Sequence, residues 1–306
     1  MSKVVQISIL GKIYGNVNAD EVIGTRITLK KMYSSSGEVL PFVSARAVKY
    51  AIRKALKEKG FETDQLIENP EAEESLRLAD TGNPIRFVDN DLFGYMLTKG
   101  RGEVAVRRQA PIALSYFKAL KDTPIKAEFA ARFPRSLEKE SNPVPFEVEV
   151  AEFIGRLNCI IYDYVGDFTE EAKQPNALED IKKQPILPLE ERMRRLNAFL
   201  EILLTPSYVL PRRTNSLNIP EYIAALVSCS KNGPVPIFQY LNYDFESNKV
   251  DGKALEILSE RINKEFNNKA VKLFYIDYKG DDVSIPNNIQ KIKLHELLNE
   301  ICKFYF

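Results

Sequence analysis

Leu40-Pro41-Phe42-Val43-Ser44-Ala45-Arg46-Ala47-Val48-Lys49-Tyr50-Ala51-Ile52-Arg53-Lys54-Ala55-Leu56-Lys57-Glu58-Lys59-Gly60 reads as a helix with two unlike faces. Ser44 is suited to the N-cap, where its hydroxyl accepts from an orphan backbone N–H, and Gly60 to the left-handed stop. Between them Ala45, Val48, Ile52, Ala55 and Leu56 recur at helical spacing and form an apolar stripe. Arg46, Lys49, Arg53 and Lys57 stack on the other side as a basic ridge, and free N–H groups at the helix start add a pull on anions. Such a helix packs one face and can offer the other to phosphate; a solvated cationic face is the plainer alternative.

Charge along the chain is segregated. The 306 residues carry a net charge of only +1, yet residues 1–60 hold 11 Lys/Arg against 4 Asp/Glu, and 101–135 hold 8 against 3. Residues 61–91 reverse the balance with 2 against 9, and 136–181 with 3 against 11. A nearly neutral protein built this way can present a positive groove, or a negative surface to a positive neighbour. Cys159, Cys229 and Cys302 lie far apart in apolar surroundings, which predicts buried free thiols in a reducing compartment. Met1 to Leu10 lacks a signal-peptide core, and no apolar run reaches the about 18 residues of a membrane helix. A soluble, cytoplasmic protein with no membrane partner is expected.

Val4 to Leu10 reads as a buried strand, followed by a loop from Gly11 to Asp20. After the basic helix comes an acidic, irregular insertion from Glu62 to Asp91, then a short helix opening at Asp91 and a strand from Pro111 to Phe117. Residues 121–145 carry four prolines and two phenylalanines among basic groups, which suits a protruding hairpin or long loop. Phe146–Ile154 and Leu157–Val165 read as two strands, Leu189–Leu204 as an amphipathic helix, and residues 251–304 as helix, strand, helix. With the insertions set aside, the first half runs strand, helix, strand, strand, helix, strand. That order predicts an α+β fold with a ferredoxin-like (RRM-like) antiparallel sheet and a helical C-terminal extension. The open face of such a sheet commonly binds RNA, but Leu92-Phe93-Gly94-Tyr95-Met96 matches the aromatic RNA-recognition signature only superficially, and these residues are read as core.

Four blocks resemble the backbone subunit of type I CRISPR surveillance (Cascade) complexes, most like the type I-B branch labelled DevR. They are Gly15-Asn16-Val17-Asn18, the Leu40 to Arg53 run, Asp91 to Met96 followed by Ala110-Pro111-Ile112-Ala113-Leu114-Ser115, and Arg212-Arg213-Thr214-Asn215-Ser216. In order, they span residues 1 to about 230. The resemblance implies one elaborated domain over 1–306, shaped as a palm with a finger-like insertion at 60–90 and a thumb-like hairpin at 119–146. It implies copies stacked along CRISPR RNA, a guide presented to target DNA, thumbs that each displace one nucleotide, and other Cascade subunits as partners.

In that setting Arg46, Lys49 and Arg53 are the leading phosphate candidates, beside Ser44 at the capped helix start, with Lys30 and Lys31 lining the same groove or merely flanking a strand. Asn16 and Asn18 could bond phosphate or ribose, or serve the turn. Arg101, Arg107, Arg108, Arg212 and Arg213 have the planar fork that suits phosphate, and each could equally form a surface ion pair. Phe129, Arg132, Phe133 and Arg135 are the wedge candidates of the thumb, where a phenylalanine stacks on a base or packs under the hairpin.

Catalysis finds little support. His295 fits a structural helical role, and no Walker, dinucleotide, zinc or nucleophile-elbow pattern occurs, so no metal or cofactor is expected. The enzymatic alternative is a metal-dependent endoribonuclease using Asp20, as an aspartate in a comparable loop serves related type III backbone subunits. A protein-interaction domain whose charge pattern serves assembly alone is the third reading.

Overall fold

The computed structural model describes residues 3–17, 19–64, 67–68, 78–97, 104–132, 143–211, 217–266, 270–281 and 283–306. The chain begins with β1 (Val4–Gly15), β2 (Ala19–Ile23), β3 (Arg26–Leu29), β4 (Lys31–Tyr33) and β5 (Val39–Val43), and then forms α1 (Ala45–Glu58). A short pair, β6 (Ile67–Glu68) and β7 (Leu78–Ala79), precedes α2 (Val88–Phe93), β8 (Tyr95–Leu97) and β9 (Val106–Arg108). Next come β10 (Ile112–Leu114), β11 (Phe117–Ala119), β12 (Lys126–Arg132) and the long β13 (Val144–Tyr162). Helices α3 (Thr169–Ala172), α4 (Glu179–Lys183) and α5 (Leu189–Leu204) lead into β14 (Glu221–Ser230). The remainder is β15 (Tyr243–Asp244), β16 (Lys249–Val250), α6 (Gly252–Glu265), β17 (Val271–Asp277), β18 (Ile289–Lys291) and α7 (Leu294–Tyr305).

This is an α+β fold around one large, mostly antiparallel sheet ordered β18-β17-β14-β1-β13-β11-β5-β4. One face carries α1, α5 and α7, whose Val48, Ile52, Leu56, Phe199, Leu203, Leu297 and Ile301 share a core with Ile7, Ile9, Leu157 and Ile161. On the other face, Leu241, Leu255 and Leu258 cover Leu10, Leu226, Leu273 and Tyr275. Residues 231–306 therefore clasp the sheet from both sides, α6 on one and α7 on the other. β1 and β14 are covered on both faces, so burial runs almost unbroken along each, and the polar Gln6 that alternates with Val5 and Ile7 is taken up by the Val235 backbone. That second cover thins toward β11 and β5, where Tyr116 and Lys118 are exposed.

Two sequence expectations are corrected here. The loop expected from Gly11 begins later, because β1 continues to Gly15 opposite Ala151. The two strands expected around Gly155 are one strand of 19 residues. Gly155 faces Gly11 across the ladder, and a Cβ at either position would sit 2.9 Å from an atom of Phe117 or from the Lys118 carbonyl. The glycine pair is a notch for a ring, not a break. The first half of β13 leaves the sheet and pairs with β12 from Val144 to Val150 as a projecting ribbon, and β3 runs parallel to it.

A buried charged cluster ties α2, β9, α3 and α5 together. The fully buried Asp91 carboxylate accepts from Arg108 Nη2 at 2.8 Å, Arg195 Nη1 at 2.9 Å and the Gly166 N–H at 3.0 Å. Glu171 lies 3.1 Å from Arg108 Nη1; burial pushes its carboxyl up against the pull of that guanidinium. All three cysteines are buried free thiols. Among the described residues no helix is long and apolar enough to cross a membrane.

Candidate nucleic-acid interface

Helix α1 is built as its sequence dictates. The Ser44 hydroxyl accepts from the Ala47 N–H at 3.2 Å, and at the far end the Gly60 N–H, with φ of +84°, bonds the Lys57 carbonyl. Ala47, Val48, Ala51, Ile52, Ala55 and Leu56 are buried. Ser44→Ala is expected to cost about 1 kcal/mol, the usual worth of such a cap, read as a lower midpoint in urea unfolding.

The basic ridge is less uniform than its spacing implies. Arg46 is exposed in the first turn. Lys49 is half-buried with its ammonium 5.2 Å from the centre of the Phe93 ring; burial lowers its pKa and the Arg53 charge adds to that. Arg53 is already engaged: its Nε donates to the buried Asp89 carboxylate at 2.9 Å, and its guanidinium also lies over Phe93. Of that ridge, the exposed Arg46 and the half-buried Lys49 stand toward the helix start, and the exposed Lys57 stands in the last turn.

Elsewhere the candidates divide. Asn16 is corrected, since it is buried and its amide donates to the Glu149 carbonyl at 2.7 Å, holding β1 to the ribbon base. Lys31 ion-pairs with Glu149 at 3.0 Å. Burial pushes that carboxyl up, but the Leu29 N–H and the Lys31 ammonium together hold it below its ordinary value. Lys30 is half-buried, and its carbonyl accepts from the Phe42 N–H at 3.1 Å. Arg108 is corrected as well, because it is the buried partner of Asp91 and Glu171 described above. Arg107 is exposed on the β8–β9 ribbon, whose backbone bonds Gln174 and Asn176 rather than anything near α1.

Phe129 on β12 is 73% exposed, and Arg132 is exposed with its guanidinium 5.5 Å from the Phe146 ring centre. The β12 side chains are therefore presented outward along the ribbon. Asn18, Arg101, Arg212, Arg213, Phe133 and Arg135 lie outside the described residues, as does the side chain of Asp20. The Asp20 backbone belongs to strand β2, paired with β3, and not to a loop. Phe93 and Tyr95 are core, as expected, whereas Met96 is exposed.

Sequence reasoning missed three residues on the open part of the sheet. Phe42 and Tyr116 stack there with ring centres 4.9 Å apart and planes 24° apart, and Lys118 stands directly opposite Phe42. Alternation puts Phe42 on the face opposite the buried Val43, so half of the signal is local. The other half is a strand register between distant segments, which no local pattern carries.

Solved structures share this fold. A chain of a "CRISPR RNA-guided surveillance complex" superposes with a TM-score of 0.61 at 13% identity, covering 99% of this chain and 100% of that one. A chain of a "CRISPR RNA-guided surveillance complex, pre-nicking" gives 0.60 at 11% identity, again over 99% and 100%. No curated protein matches the chain. The family model described as "CRISPR-associated negative auto-regulator DevR/Csa2" matches residues 14–251, a span that takes in α1, the buried Asp91 cluster, the β12–β13 ribbon and β14. By that match the chain belongs to the CRISPR-associated DevR/Csa2 family.

Proposed function

We propose that the protein is a non-catalytic RNA-binding subunit that multimerises along CRISPR RNA in the cytoplasm. It forms the backbone of a type I surveillance complex beside other Cascade subunits and presents the guide for pairing with target DNA. The observation that carries the reading is the family match over residues 14–251, which encloses both the capped basic helix and the projecting ribbon. The reading takes the palm as ferredoxin-like, which the order β14, β1, β13, β11 supports, with α1 and α5 as its two helices. The thumb at 119–146 takes in β12 and the start of β13, whose pairing extends to Val150, and residues 60–90 are the finger.

In this reading Arg46 and Lys49 contact RNA phosphate at the start of α1, and Phe129 and Arg132 lie along the thumb. Arg53, Arg108 and Asn16 hold the scaffold instead. Single-stranded RNA binding then weakens as salt rises, because each neutralised phosphate releases counterion. The test is fluorescence anisotropy with a labelled single-stranded RNA across a salt series. Arg46→Glu with Lys49→Gln is expected to weaken binding and to lower the salt slope by about 0.7 for each contact removed. An unchanged slope in a folded variant removes α1 from the interface. Regular cuts in complementary RNA with Mg²⁺, lost in Asp20→Ala, would overturn the non-catalytic reading.

A further inference from the structure

We propose that Phe42 and Tyr116 form a stacking platform for one unpaired RNA base, with Lys118 placed to meet the phosphate beside it. The inference rests on the RNA-binding reading above and adds where a base, rather than backbone, is held.

Register puts the parts together. Lys118 on β11 lies opposite Phe42 on β5 and opposite Arg156 on β13, so all three side chains rise from the same face of the sheet. Val43, Phe117 and Gly155 point to the other face, where they are buried. At the β13 end of this row the surface closes, because Arg156 Nη1 donates to the Leu241 carbonyl at 3.1 Å and to Asn242 Oδ1 at 2.7 Å. Toward β5 the row opens: among the described residues Lys118 and Tyr116 are exposed and Phe42 is half-buried.

Tyr116 is fixed in place although it is 50% exposed. It sits where the chain steps from β10 to β11, and a polar brace holds that step. The Ser115 N–H donates to the Asn158 carbonyl at 2.8 Å, the Asn158 N–H donates to Ser115 Oγ at 2.9 Å, and that hydroxyl donates to the Tyr116 carbonyl at 2.9 Å. Stacked nearly parallel on the half-buried Phe42, the tyrosine turns one ring face inward and leaves the other to solvent. A rigid, outward ring face is what an unpaired base stacks on, and it accepts any base because each has a π-face.

The charge beside it fits the same ligand. Nearby cations on this side of the molecule are engaged: Lys12 pairs with Glu152 at 3.1 Å, and the Lys121 ammonium lies 3.9 Å from the Phe245 ring centre. Lys118 is exposed next to the platform. Stacking and a single phosphate contact make separable contributions, which the test exploits.

The full-length protein is titrated into a fluorescein-labelled single-stranded RNA of mixed sequence, at several salt concentrations. Tyr116→Leu keeps an apolar cover over Phe42 but removes the ring face. It is expected to weaken binding about tenfold with the salt slope unchanged, since stacking releases no counterion. Tyr116→Phe is expected to bind as the native protein does, and Lys118→Gln to lower the slope by about 0.7. Native affinity in Tyr116→Leu would overturn the platform while leaving the RNA-binding reading intact. A native protein that binds no RNA at any salt overturns that reading, and the platform with it. A Tyr116→Leu variant with native melting temperature rules out unfolding as the cause of any loss.

Discussion

Asp91→Ala is expected to destabilise the protein by about 3–5 kcal/mol, a large share of the 5–15 kcal/mol that a domain typically has. Asp91 is completely buried and takes hydrogen bonds from two arginines and one backbone amide. Removing it leaves the Arg108 and Arg195 guanidiniums in the interior without the charge that balances them. Arg108 keeps Glu171, and Arg195 keeps Glu191 at 2.9 Å and the Pro84 and Ile85 carbonyls, so part of the network survives. The loss is therefore expected to exceed that of any exposed pair, such as Lys264 with Glu260, whose removal is worth about 0–1 kcal/mol. Urea unfolding followed by circular dichroism reads the difference, and a loss under about 1 kcal/mol would mean that water reaches the two arginines.

Phe117→Ala is expected to cost about 3–5 kcal/mol, the range for deleting a buried ring. The Phe117 ring is wholly buried and approaches the Gly11 and Gly155 backbones so closely that no side chain fits at either site. The reciprocal change, Gly155→Ala, pushes a methyl to 2.9 Å from the Lys118 carbonyl and 3.1 Å from the ring. The carbonyl belongs to the paired backbone of β11 and cannot swing aside, so about 1–3 kcal/mol is expected from overpacking. Thermal unfolding of both variants checks the pair. A Gly155→Ala protein as stable as the native one would show that β11 moves freely against β13.

Much of the architecture was legible because it is local. The Ser44 cap and Gly60 stop bound α1, the apolar stripe of residues 189–204 gives α5 at its observed ends, and Asp251 caps α6 through the Lys253 and Ala254 N–H groups. What the sequence hid was pairing over distance. Arg53 and Arg108 look like free cations in a basic stretch, yet the fold delivers Asp89 to one, and Asp91 and Glu171 to the other. Asn16 looks like a surface turn residue, yet at the bend just past β1 it is buried and bonds the Glu149 carbonyl. Gly155 looks like a strand end because its partner, Gly11, lies far away in the chain. The same blindness concealed the Phe42–Tyr116 pair, whose rings come from β5 and from the step between β10 and β11 and meet only in the folded sheet.

The long β13 strand has a mechanical consequence. Its outer half is one rail of the ribbon and its inner half lies against β1, so a pull at the ribbon tip loads the middle of the sheet. Sliding by a single residue would turn every β13 side chain to the wrong face. It would also carry Gly155 out from under the Phe117 ring and bring a side chain there instead, for which no room exists. Ring and notch thus act as a key in a keyway, so that force arriving along the ribbon passes into the sheet against a locked register.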